Sequence, residues 1–444
     1  MSPFEFALEQ PIVINFQFGF CRNKGQFHKV NNAQPNRISA MNILMMFSLA
    51  ASLSMPDAYT IAGALFAIIG LFYLLKRMHA RASLFEPHLS GKLCLIFMAY
   101  AFICALIQLW HRAPISHYEM YMPFLWAPLI VLAVLDGRID RRFIWLGCLL
   151  GAVLACFLAL FQSIYLGAER PFGFLGSPIT FGNNALLLGC IALAGRHDSP
   201  LNLRKPIWLA LAYMGFFFGV VASLTTQSKG GWPLIPLVLI WVIVEDFWRA
   251  SRQGRRSFFV AAFTFACLLP FMPLDTPLSR VKSAAIGTMA WFQTGEVVEG
   301  SADARLELWR FGLSIWPEKP WLGHSREGVV QRMHEKIAQN EVDPWIKSLT
   351  GLHNEPIQLL AEQGLVGLLS WVMMFAASIL VFGRAYTEHS RVQKVLGQAG
   401  LITVAASLTF GLSDMNLMLN VNRQIFVFLV MALAALVVAE RRRT

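Results

Sequence analysis

The stretch GLHNEPIQLLAEQGLVG, residues 351–367, sets a histidine and an asparagine directly before an apolar run. Asn is a preferred N-cap and Pro is well tolerated in a first turn. His353-Asn354-Glu355-Pro356 therefore predicts a helix starting near Glu355 with Asn354 as its cap. A histidine at that end sits in the positive field of the helix, and with arginines nearby this disfavours imidazolium. A neutral imidazole is a competent general base near pH 7. The plain alternative is that His353 is only a polar neighbour of the cap. Both readings stay open on these residues alone.

Three cations have the right type and setting to bind an anion. Arg170 lies in AERPFGFLGSPITFGN, Lys229 in LTTQSKGGW, and Arg305 near the start of SADARLELWRFGLSIW. Such a set at one membrane face fits phosphate or diphosphate carried by a lipid. Against this stands the ordinary reading of a lone Arg or Lys there, a snorkelling or solvated side chain. Arg310, Arg326 and Arg332 read as solvated faces, and His111, His117, His324 and His334 as interfacial residues. No nucleotide-phosphate loop, HExxH or paired-Cys motif occurs. Six of the seven cysteines lie in apolar spans and Cys21 in the polar N-terminal tail, so they read as small hydrophobes. No carboxylate or His/Cys cluster on this face forms a metal site, and no cofactor is expected.

The elements that must position these residues are membrane helices. The chain of 444 residues is 56% hydrophobic and 14% charged, with mean hydropathy +0.53; soluble domains carry roughly 25% charged residues. Apolar blocks near the ~20 residues needed to cross a bilayer recur along it. We read twelve spans, about 42–55, 58–75, 91–109, 121–135, 143–167, 179–195, 207–224, 232–247, 258–273, 364–383, 395–413 and 424–439. No Asp, Glu, Lys, Arg or His falls near the centre of any span; Glu245, Asp246 and Asp414 lie at span ends. That absence counts against ion-coupled transport, which needs such groups in mid-membrane.

Charge sets the orientation. Of 37 basic residues, 24 fall in loops assigned to one side, while the short loops of the other side hold only Arg112, Arg170, Lys229 and Arg423. By the positive-inside rule the 24 are cytoplasmic, with both termini, so the net charge of +11 is a topology signal and not a nucleic-acid footprint. The large loop 274–363 is then periplasmic, with nine basic and twelve acidic residues. Its length predicts internal structure. SADARLELWRFGLSIW predicts a helix with Leu306, Trp309, Leu313 and Trp316 on one face, PEKPWLG breaks it, and REGVVQRMHEKIAQ predicts a second helix with Val329, Val330, Met333 and Ile337 on one side. Residues 1–40 are polar and aperiodic; they read as a disordered cytoplasmic extension or a start site placed too early. The expected organisation is 1–40, spans one to nine over 41–273, the loop 274–363, and spans ten to twelve over 364–444.

The order R-x-x-G-x-x-G-x-P, T-x-x-K-G-G, D-x-R-x-x-x-W with P-W-x-G, and H-N-E-x-x-x-x-x-x-E-x-G-x-x-G resembles the O-antigen ligase/polymerase superfamily over roughly residues 165–385. The resemblance implies an all-α, twelve-span glycosyltransferase of the Gram-negative inner membrane, acting on the periplasmic face without metal. It implies an undecaprenyl-diphosphate-linked glycan as donor and, for a ligase, the lipid A-core of lipopolysaccharide as acceptor. It implies His353 as the base, with Arg305 catalytic as well as diphosphate-binding beside Arg170, and Asn354 and Glu362 in support. Where the family has Ser-Arg-Gly this chain has Ser228-Lys229-Gly230, which keeps the charge and loses the bidentate fork. We read Lys229 as a third diphosphate-binding cation and the chain as an inverting O-antigen ligase. A polymerase or a protein O-oligosaccharyltransferase is the nearest alternative, and a lipid or solute transporter the alternative of another class.

Overall fold

The computed structural model describes residues 39–80, 89–200, 203–249, 275–298, 302–349 and 351–443. The expected ninth span, 258–273, and all but the last two residues of 1–40 lie outside them. The protein is an all-α polytopic membrane protein, and no strand occurs among the described residues. Its helices are α1 Ala40–Ala51, α2 Ala58–His79, α3 Leu89–Trp110, α4 Met122–Leu125, α5 Ala127–Asp136, α6 Arg142–Ile164, α7 Pro178–Ala194 and α8 Lys205–Thr225. They continue with α9 Leu234–Arg249, α10 Asp275–Thr294, α11 Ala302–Ile315, α12 Ser325–Ala338, α13 Glu355–Thr387, α14 Arg391–Gly411 and α15 Asn420–Arg441. Hydrocarbon leaves backbone groups no water to bond, so long apolar runs must close their hydrogen bonds within a helix.

Among the described residues ten helical segments are long and apolar enough to cross a membrane, and they coincide with ten of the twelve expected spans. The expected first span differs. α1 has 12 residues, short of the ~20 a crossing needs. Its serines explain the stop: Ser52 and Ser54 bond back to the carbonyls of Leu49 and Ala50, and the chain turns at Pro56-Asp57. α1 lies close against α6, where a Cβ on Gly147 would stand 2.7 Å from the Met46 carbonyl oxygen and one on Gly151 2.8 Å from that of Leu49.

α15 is buried along its whole apolar length and α7 along most of it, so these two form the middle of the bundle. Small residues let the helices approach, as membrane packing favours. A Cβ on Gly219 of α8 would meet the Ala185 oxygen of α7 at 2.7 Å. The exposed apolar side chains of α2 and α3, among them Ile68, Phe72, Phe102 and Leu109, form surface that lipid can cover.

The polar ends separate. At one end Arg77 pairs with Asp136, Arg141 with Asp198, Arg196 with Glu245 and Asp246, and Arg441 with Glu388, at 2.6–2.9 Å. All belong to helix ends that the sequence places on one side. At the opposite end α11, α12 and the turn Pro344–Ser348 build a second small core of Leu308, Phe311, Ile315, Val329, Met333 and Ile346. The expected α11 face is corrected here. The helix forms, but Ala304, Leu308, Phe311 and Ile315 point inward and Leu313 outward. Two apolar stripes run along α11, and the shape of its partners selects between them.

α13 runs on from the loop into the membrane across a break. Gly364 has φ +65°, and the interrupted ladder is completed by the P-W-L-G loop: Leu365 N–H donates to the Pro320 oxygen at 2.8 Å, Val366 N–H to Trp321 at 3.1 Å, and His324 N–H to the Ala361 oxygen at 2.8 Å. Gly323 and Gly364 allow the close approach. A Cβ on either would meet backbone at 2.3–2.4 Å.

Candidate functional site

Asn354 caps α13 by accepting from Ile357 N–H at 3.2 Å, and its amide donates to the Leu412 oxygen at 3.2 Å, tying the helix start to the end of α14. His353, one residue earlier, has φ +48°, a left-handed conformation that is strained for a residue with a side chain. Its Nδ1 lies 3.0 Å from Oδ1 of Asp414, in the turn between α14 and α15. The His353 side chain is 27% exposed and that of Asp414 9%. If Nδ1–H donates to the carboxylate, Nε2 carries the lone pair, and Asp414 fixes both tautomer and ring orientation. A base oriented by a buried acid is an arrangement fit to take a proton.

The turn that carries Asp414 is itself anchored. Glu355, 1% exposed, accepts from Leu417 N–H at 3.1 Å and from the Trp371 indole at 3.2 Å. Arg423 donates to the Leu417 and Met418 oxygens at 3.0 Å each. Thus the residues flanking Asn354 on either side meet the same turn, His353 at Asp414 and Glu355 at Leu417. Glu362 stands further back. It accepts from Gln358 at 2.6 Å, and Gln358 accepts from Leu352 N–H at 2.6 Å, so it supports the His353 loop through one intermediary.

The cations gather at the same end. Arg305, in the first turn of α11, is half-buried, and the loss of solvent lowers its affinity for the proton, while the nearby negative charge of Asp414 opposes that shift. Lys229 opens the short turn Lys229–Gly231. A Cβ on Gly230 would fall 2.0 Å from Ser413 Oγ, so this turn sits directly on the residue before Asp414. Arg170 reaches the residues just before this turn, its Nε 3.4 Å from the Thr226 oxygen, and Gln227 donates to the Glu169 oxygen at 3.2 Å. A chain of contacts therefore joins Arg170, the 226–231 turn, Ser413-Asp414 and His353, with Arg305 in electrostatic reach.

A family model described as O-antigen ligase matches residues 214–372. The chain is also similar to an uncharacterized protein of Haemophilus influenzae, 21% identical over 395 residues, which cover 87% of this chain and 96% of the relative. The region similar to O-antigen ligases holds Lys229, Arg305, His353, Asn354 and Glu362. Arg170 and Asp414 lie outside it and are brought to it by the fold.

Other residues find structural partners. His111 bonds the Leu322 oxygen at 2.8 Å, His324 bonds that of Ile315 at 2.9 Å, and His117 lies 3.3 Å from Glu327. Arg310 pairs with Glu307, and Arg332 with Glu318 and Glu335. Among the described residues no three His, Cys, Asp or Glu side chains gather to hold a metal ion. Sequence reasoning missed Asp414 and Glu355 as site residues. The available signal for Asp414 was an acid in the polar gap GLSDMNLMLN, at a span end on the same side as His353.

Proposed function

We propose that the chain is a membrane glycosyltransferase of the O-antigen ligase type. It transfers O-antigen glycan from undecaprenyl diphosphate to the lipid A-core of lipopolysaccharide at the periplasmic face of a Gram-negative inner membrane. The observation that carries this reading is the His353–Asp414 pair at 3.0 Å, with Arg305 in electrostatic reach of Asp414, at the end of the bundle away from the arginine-rich ion pairs. A base oriented by an acid and flanked by cations is what a hydroxyl nucleophile and a diphosphate leaving group require.

In this mechanism the acceptor hydroxyl attacks the anomeric carbon as His353 Nε2 takes its proton. The bond from that carbon to the diphosphate oxygen breaks, and its electron pair leaves with the diphosphate. Asp414 stabilises the imidazolium that forms. Arg305, Lys229 and Arg170 offset the negative charge that grows on the leaving group. A single displacement inverts the anomeric centre. The residues supply acid–base and electrostatic work by themselves, so the reaction needs no metal.

The lipopolysaccharide profile of a deletion strain tests the assignment. A ligase deletion leaves core without O-antigen while lipid-linked polymer accumulates. Core carrying a single repeat unit identifies a polymerase instead, and an unchanged profile overturns both.

A further inference from the structure

Arg170 lies in an irregular connection between α6 and α7, yet its position is fixed from both sides by one residue. Gln162 sits in the last turn of α6 and is 8% exposed. Its backbone oxygen accepts from Ala168 N–H at 2.9 Å. Its side-chain Nε2 donates to the Gly173 oxygen at 2.8 Å, and its Oε1 accepts from Phe172 N–H at 3.1 Å and Gly173 N–H at 2.9 Å. Ala168 and Phe172 are each two residues from Arg170, so the segment between them is a short loop closed on Gln162. Pro171 removes one backbone torsion from it. Gly173 has φ +60°, and a Cβ there would stand 2.6 Å from the Phe181 ring, so the clamped turn is also pressed against α7.

We propose that Gln162 is a positioning residue for substrate: by clamping the loop it holds the Arg170 guanidinium where the diphosphate of the lipid carrier binds. This rests on the anion-binding role given to Arg170 above. A surface arginine on a loose loop would lose side-chain and backbone freedom on each binding event. A clamp set in the fold removes the backbone part of that cost. A glutamine matches the task because one planar amide satisfies two N–H groups and one carbonyl together.

The test is a double-mutant cycle on purified full-length protein, with undecaprenyl diphosphate as the binding probe. Gln162→Met keeps the volume and removes the polar contacts. Gln162→Glu keeps two acceptor contacts and guards against a folding failure of the first. Arg170→Ala and Gln162→Met are each expected to weaken probe binding by about tenfold, with Gln162→Glu between wild type and Gln162→Met. The double variant should bind within about twofold of Arg170→Ala alone, because a residue that acts through Arg170 has nothing left to position. Losses that multiply in the double variant, or tight binding by both Gln162 variants, overturn the clamp. Probe binding unaffected by Arg170→Ala overturns instead the anion-binding role on which the clamp rests.

Discussion

At the scale of single residues, the His353–Asp414 contact makes the sharpest demands. His353→Ala should fold and bind donor, since the ring is partly exposed and Ala meets the same backbone strain at φ +48°. Transfer should fall by about 10² to 10⁴, the usual worth of general-base assistance, and His353→Gln should be nearly as inactive. Near wild-type transfer by the purified His353→Ala protein would place the base elsewhere. Asp414→Asn keeps the shape and puts an amide where the carboxylate was. Its turnover should drop by about 10² or more, while the donor KM moves little. A change confined to KM would make Asp414 part of donor binding. Lys229→Arg should retain activity and Lys229→Ala lose much of it, because a phosphate-binding cation needs charge first and geometry second. Equal activity of Lys229→Ala and wild type would reduce Lys229 to an interfacial cation.

At the scale of elements, the glycines of P-W-L-G and E-Q-G-L-V-G tell apart two things that a motif mixes. Gly323 and Gly364 serve backbone packing, not chemistry. Gly364→Ala would place a Cβ 2.3 Å from the Trp321 carbonyl carbon at a φ that suits glycine. It should destabilise the purified protein by about the several kcal/mol that steric and backbone strain together cost, and so lower its thermal midpoint strongly. Gly383, further along α13, has nothing within 4 Å of a Cβ, and Gly383→Ala should be neutral or slightly stabilising. Equal midpoints for the two variants would remove the break at Gly364 as a structural requirement. The same helix shows what was legible. His353-Asn354-Pro356 announced the cap, and the apolar run announced the span. The first nine residues of α13 were expected as helix but left outside the span 364–383, because Gln358, Glu362 and Gln363 are polar; their partners are Leu352, Gln358 and Tyr121, which no local pattern reveals. Asp414 was hidden for a related reason, standing 61 residues from His353. The wrong face of α11 had another cause, two apolar stripes on one helix with the choice made by α12 and α13.

At the scale of the whole molecule, charge and site lie at opposite ends of the bundle. Reporter fusions at 140 and 320 should report opposite sides of the membrane, with 140 cytoplasmic. The same side for both would separate the candidate site from the compartment that the mechanism needs. Glycan transfer by the purified protein should survive EDTA, because the chemistry proposed runs on His353, Asp414 and the three cations. Turnover lost on chelation and restored by Mg²⁺ would require a site that these residues do not form.

The small core built by α11 and α12 has an implication for how the protein is made. Of its members, Leu352 lies just before α13 and Ala361 in its second turn, and His324 takes its backbone partner from Ala361. A nascent chain that has completed α11 and α12 therefore still lacks two walls of that core. Arg305 finds Asp414 only after α14 has been synthesised and threaded as well. The region at the loop should stay open to folding helpers and proteases until α13 has followed it out of the ribosome, and catalytic competence should arrive later and abruptly, once α14 and the turn that carries Asp414 are in place.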